Sequence, residues 1–75
     1  MSPQEKKALA KNQGNYEDAL VEYRKALAIY LKVHGDQHPD TATFYINIGA
    51  VLNKQGNYED ALVEYRKALA IYLKV

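Results

Sequence analysis

Four residues that can bind a divalent metal lie close together in the segment HGDQHPD. They are His34, Asp36, His38 and Asp40. Imidazole and carboxylate groups together form a ligand set for zinc and related metals. The same segment contains Gly35 and Pro39, which predict the end of one helix and the start of the next. Because side chains on the two sides of such a break need not converge, we predict no metal site here.

Carboxylates at the start of the second repeat copy are the other candidates for chemistry. Glu59, Asp60 and Glu64 are expected on the solvent face of a helix, where Asp60 completes a cap with Asn57 and Glu64 pairs with Lys67. The chain has no cysteine, its single serine is Ser2, and it contains no glycine-rich phosphate loop. We therefore predict no catalytic residue and no cofactor.

Length and charge exclude several further classes of function. The chain has 75 residues, one small domain over 1–75, with a net charge of +1 from ten basic and nine acidic residues. This balance of charges provides no positive electrostatic potential that would attract nucleic acid or an anionic membrane. The polar start MSPQEKKALA and the lack of a stretch of about 20 apolar residues predict a soluble chain that is not exported.

The chain repeats itself with a period of 42. Residues 13–33 are identical to residues 55–75, so that Gln13 corresponds to Gln55. Natural repeats accumulate differences, so this identity favours an engineered sequence, with a very recent duplication as the alternative.

Apolar residues recur in each copy at spacings of three and four, which predicts helices with one buried face. In the second copy they are Tyr58, Ala61, Leu62, Tyr65, Ala68, Leu69 and Tyr72.

Between the copies a third helix is predicted over 39–55, with Ala42, Tyr45, Ile48, Val51 and Leu52 on one side. In front, Ser2, Pro3 and Glu5 predict a capping box that opens a short helix to Asn12. The fold class is therefore all-α, with four helices in tandem antiparallel hairpins: a truncated hairpin over 1–33, a loop over 34–38 and a complete hairpin over 39–75.

The segment NIGAVLNKQGNYEDALVEYRKAL, residues 47–69, resembles the tetratricopeptide repeat, a helix-turn-helix unit that stacks into a superhelix. Tyr45, the pair Ile48 and Gly49, and Leu52 match its first helix; Gly56, Tyr58, Ala61, Tyr65 and Ala68 match its turn and second helix. The usual repeat has 34 residues, and the longer linker here is similar to the 42-residue variety of kinesin light chains. The resemblance implies that Ala61 faces Gly49 where the two helices approach each other.

The first residues depart from this pattern. Pro3, Gln4, Glu5, Lys6 and Lys7 stand where the repeat has its aromatic residue, its isoleucine and its glycine. Two interpretations remain open. The front helix is a truncated, solubilising cap of the kind that terminal repeats need, or it frays and exchanges with another chain, which would leave its amide hydrogens the least protected.

The resemblance also implies where partners bind. The first helix of such a unit lines a concave groove, which here comprises Thr43, Ile46, Asn47, Ala50, Asn53 and Lys54. The lysine and asparagine that clamp a peptide carboxylate in some members are replaced by Ile46 and Ala50.

The second copy has no helix to cover Leu62, Tyr65, Leu69 and Tyr72. We therefore predict self-association through this face, as a homodimer or larger oligomer with or without exchange of hairpins. The alternative is a protein-binding module from a longer array, with a peptide or protein as partner.

Overall fold

Three helices make up the described part of the protein. The computed structural model describes residues 3–74, with side chains from residue 14 onward. Helix α1 is Pro3–His34, α2 is Pro39–Lys54 and α3 is Tyr58–Lys74. The all-α prediction is confirmed, but the prediction of four helices is wrong. Ser2, and with it the predicted capping box, lies outside the described residues.

The difference arises at Gly14, where a turn was expected and α1 continues without a break. The reason is visible in the sequence before it. Ile48 and Gly49, which pack in the second copy, have Lys6 and Lys7 as their counterparts. A folded-back front helix would therefore gain little apolar contact, whereas a glycine inside a helix costs only about 1 kcal/mol.

The linker between α1 and α2 follows the sequence prediction. Gly35 has a φ of 82° and donates its N–H to the Leu31 carbonyl at 2.9 Å, which ends α1. The Nδ1 atom of His38 accepts the Asp40 backbone N–H at 3.0 Å and caps α2. The fully buried Thr41 donates its hydroxyl to the Gly35 carbonyl at 2.9 Å, which ties the linker to the new helix.

The turn between α2 and α3 is centred on Gly56, whose φ is 86°. The Gly56 N–H bonds to the Asn53 carbonyl at 3.0 Å and the Asn57 N–H bonds to the Leu52 carbonyl at 2.9 Å. This pair of bonds is a Schellman motif, which satisfies the last carbonyls of α2. The Asn57 carbonyl then accepts the Ala61 N–H at 2.9 Å, and α3 begins.

Helix α2 packs against both other helices and contributes residues to both buried clusters. One buried cluster joins the outer helices to it and consists of Leu20, Leu27, Ile48, Leu52 and Ala61. A second cluster, near the other end of the α2–α3 hairpin, consists of Ala42, Ala68 and Ile71. A Cβ atom built on Gly49 would first meet the ring of Tyr65 in α3, a neighbour that the sequence analysis did not name. The pairing of Gly49 with Ala61 stays a prediction.

Candidate functional site

The histidines and aspartates of the linker connect α1 to α2. The Tyr30 hydroxyl donates to Asp40 Oδ2 at 2.7 Å, and His38 uses Nδ1 for the α2 cap. The rings of Tyr30, His34 and His38 contact one another, with centroid separations of 4.4 Å for Tyr30–His34, 5.2 Å for His34–His38 and 5.6 Å for Tyr30–His38. Within residues 14–74, no three histidine, aspartate or glutamate side chains converge in a way that could hold a metal. The arrangement secures the end of α1 on the start of α2.

The environment of Tyr30 affects its ionisation. Its hydrogen bond to Asp40 raises the pKa of Tyr30 above the ordinary value of 10.0, and partial burial and the negative charge of Asp40 act in the same direction. The hydroxyl therefore stays protonated and remains a donor across the physiological range.

One of the three candidate carboxylates is not where the sequence placed it. Glu59 and Asp60 are exposed, as expected, but Glu64 is buried with 7% exposure. The predicted partner is confirmed, since Lys67 Nζ lies 3.2 Å from Glu64 Oε1. The same ammonium lies 5.5 Å from the centroid of the Tyr45 ring. Glu64 is buried because Ala61 and Ala68, one turn before and after it, are buried on the same side of α3. The ammonium of Lys67 compensates the charge of the Glu64 carboxylate.

The predicted groove residues all lie on α2. Thr43, Asn53 and Lys54 are exposed, and Ile46, Asn47 and Ala50 are half-buried. Thr43 and Asn47 line a surface recess of about 310 Å³ together with Tyr30, Asp40 and Phe44. Sequence reasoning did not include Tyr30 and Phe44, because their contribution depends on how α1 lies across α2.

The two identical copies bury different faces. Leu20 and Leu27 of α1 are 7% and 9% exposed, but their counterparts Leu62 and Leu69 of α3 are 49% and 55% exposed. The relation is reversed two residues after Leu27, where Ile29 is 67% exposed and its counterpart Ile71 only 3% exposed. The same amino acids are thus covered in one helix and uncovered in the other, according to the side on which α2 lies.

We call Leu62, Leu69, Tyr72 and Leu73 the outer face of α3. All four are exposed in the chain, and Leu73 at 79% is a member that the sequence analysis omitted. Leu31, the counterpart of Leu73 in α1, packs against the core. This burial of the equivalent residue indicates that Leu73 belongs to the outer face. Tyr65, which the sequence analysis assigned to this face, is half-buried, and its ring lies against Gly49.

Helix α2 packs against α3 and against the part of α1 that has the same sequence as α3, residues 16–32. This is the arrangement of stacked helical hairpins. The family model for the tetratricopeptide repeat matches residues 6–74. The chain belongs to the tetratricopeptide repeat family. Comparisons with curated proteins and with solved structures give no significant match.

Membership in the tetratricopeptide family assigns a role to each helix. The hairpin of α2 and α3 has the helix-turn-helix form of one repeat of this family, and α1 packs on α2. The family is in general a non-catalytic helical scaffold for protein interaction. Among the described residues, no helix is long and apolar enough to span a membrane.

Proposed function

We propose that this tetratricopeptide repeat chain is a non-catalytic scaffold that associates with itself through the outer face of α3. The supporting observation is the comparison of the two copies. In α1 the residues equivalent to the outer face are covered by α2, and in α3 the same residues are exposed. The complete identity of the copies favours an engineered, consensus-like repeat of the 42-residue variety, with recent duplication as the alternative.

The size of the outer face is sufficient for association. Four large apolar side chains lie along one side of a helix of 17 residues. Burying about 400 Å² of apolar surface at about 25 cal/mol per Å² gives about 10 kcal/mol before the cost of association. Micromolar dimers are compatible with that balance.

Light scattering coupled to size exclusion, at loading concentrations up to hundreds of micromolar, tests the proposal. The mass of the wild-type chain should exceed 8.5 kDa and fall on dilution. Leu62→Gln with Leu69→Gln should keep the chain at monomeric mass. A matched control is Val21→Gln with Val63→Gln, since these equivalent residues are 49% and 48% exposed and lie outside the outer face. A wild-type mass of 8.5 kDa at every concentration would falsify the proposal.

The recess beside Tyr30 supports a second candidate, a peptide-binding module taken from a longer array. Two predicted groove residues, Thr43 and Asn47, line this recess, and Asp40 provides a negative charge at its rim. A basic extended peptide is the partner that this charge favours. Titration with oligolysine and oligoglutamate peptides of equal length separates the candidates, because binding only of the basic peptide, abolished by Asn47→Ala, supports the module.

A further inference from the structure

The same six residues, QGNYED, adopt two conformations in this chain. At residues 13–18 they form part of an unbroken helix, whereas at residues 55–60 they form the turn at Gly56. We propose that residues 55–57 are a hinge, through which α2 and α3 join into one helix and exchange α3 with a second copy of the chain. This inference depends on the proposed self-association and gives it another geometry, in which the second copy binds the side of α3 that packs on α2 and the outer face of α3 turns toward α1 of its own chain.

The exchange restores the contacts that it breaks. In the monomer, Ala61, Ala68 and Ile71 are buried at the α2–α3 interface, and the Tyr65 ring lies against Gly49. A second copy presents the same α2 surface, so α3 of one chain can occupy it when that copy opens as well. Two open chains related by a two-fold axis therefore complete each other.

The joined helix also changes the position of the outer face. Ile48, Gln55, Leu62 and Leu69 are seven residues apart, so in a continuous helix they lie along one stripe. In the monomer this stripe of α2 faces α1: Gln55 Nε2 donates to Glu17 Oε1 at 2.7 Å, and Ile48 shares a cluster with Leu20. Joining the helices therefore places Leu62 and Leu69 on the side on which α1 lies.

Helix α1 is long enough to reach them. It runs antiparallel to α2, with Tyr30 beside Asp40 at the start of α2 and Glu17 beside Gln55 at its end. Residues 3–16 of α1 consequently extend about 20 Å past the end of α2. The joined helix enters this space, so the outer face that is exposed in the monomer then lies alongside the first half of α1.

Gly56 permits the closed turn, because its φ of 86° lies in the left-handed region, which glycine adopts readily. Alanine adopts this conformation only at a cost in free energy. Gly56→Ala should favour the joined helix by about tenfold or more in each chain, and the dimerisation constant by about a hundredfold or more. Gly14→Ala is the matched control for the helix preference of alanine, since the same residue is already helical there, and it should not raise the dimerisation constant as Gly56→Ala does.

Tyr58→Pro provides the second variant. Tyr58 is the first residue of α3 and is 65% exposed, so proline is tolerated there in the closed turn. Within a joined helix it removes a hydrogen bond to Lys54 and clashes with that carbonyl. The Gly56→Ala, Tyr58→Pro double variant should therefore return to monomeric mass.

Sedimentation equilibrium of the full chain and these variants separates the outcomes. A dimer strengthened by Gly56→Ala and lost on adding Tyr58→Pro supports the hinge. The hinge proposal is overturned if Gly56→Ala associates no more strongly than wild type, whether or not the variant is folded. It is also overturned if the dimer persists after Tyr58→Pro is added. That last result, together with loss of the dimer in Leu62→Gln, Leu69→Gln, retains the proposed function with apposed α3 helices instead. Wild type and Gly56→Ala both at monomeric mass overturn both proposals.

Discussion

The ring of Tyr65 lies against the backbone of Gly49. A Cβ atom placed on Gly49 would be 2.9 Å from Tyr65 Cε1 and 3.0 Å from Cδ1. Carbon atoms in contact are normally about 3.5 Å or more apart. The absence of a side chain at Gly49 therefore sets how closely α2 and α3 approach each other.

Gly49→Ala should destabilise the fold. Overpacking of this kind costs about 1–3 kcal/mol, and the helix preference of alanine returns up to about 1 kcal/mol. Urea denaturation followed by circular dichroism measures the change in the free energy of unfolding. The loss should largely disappear in a Tyr65→Ala background, because the double-mutant cycle removes the clash. A denaturation midpoint that does not fall would show that the helices are not in contact here.

Gly14→Ala should stabilise the chain by about 0.5–1 kcal/mol, because Gly14 is inside α1 and an added Cβ meets nothing within 4 Å. Gly35→Ala should instead cost about 1–2 kcal/mol, since its φ is 82°. The same denaturation experiment compares the two. If Gly14→Ala destabilises as Gly35→Ala does, Gly14 is in a turn and α1 is broken there.

Much of this fold follows from the sequence. The three-and-four spacing predicted α2, α3 and the second half of α1, and Gly35 and Pro39 marked the break between α1 and α2. The resemblance of residues 47–69 to the tetratricopeptide repeat is confirmed by the family model. These features are encoded within single elements, where local propensity and pattern agree.

The features that the sequence did not predict depend on neighbouring elements. QGNYED carries the same turn signal at Gly14 and Gly56, but only the second has an apolar partner helix that makes a turn favourable. Glu64 was expected at the surface as its counterpart Glu22 is, yet α2 covers only Glu64. The identity of the two copies hides such differences, since a helical pattern reports an apolar stripe but not the side that a neighbour occupies.

Matched substitutions in the two copies should therefore change the free energy of unfolding by different amounts. Ile71→Ala and Leu20→Ala each remove a buried side chain and should cost about 2–5 kcal/mol. The equivalent changes Ile29→Ala and Leu62→Ala affect exposed side chains and should cost about 0.5 kcal/mol or less in the monomer. Denaturation of all four variants at low micromolar concentration provides the comparison. Equal costs for Ile71→Ala and Ile29→Ala, or for Leu20→Ala and Leu62→Ala, would contradict the burial of different faces in the two copies.

Asp40→Asn should lower the pKa of Tyr30 toward 10.0, because it replaces the carboxylate that accepts the Tyr30 hydroxyl and opposes its ionisation. The raised pKa means that the folded state favours protonated Tyr30, so the stabilisation is fully present below pH 10 and is lost as the pH rises through the raised pKa. The difference in unfolding free energy between wild type and Asp40→Asn should thus shrink above pH 10. Titration of ¹³C-labelled tyrosine by NMR follows Tyr30 directly, with Tyr30→Phe identifying its signal. An identical titration midpoint in wild type and Asp40→Asn would exclude the hydrogen bond to Asp40 as the cause of the raised pKa.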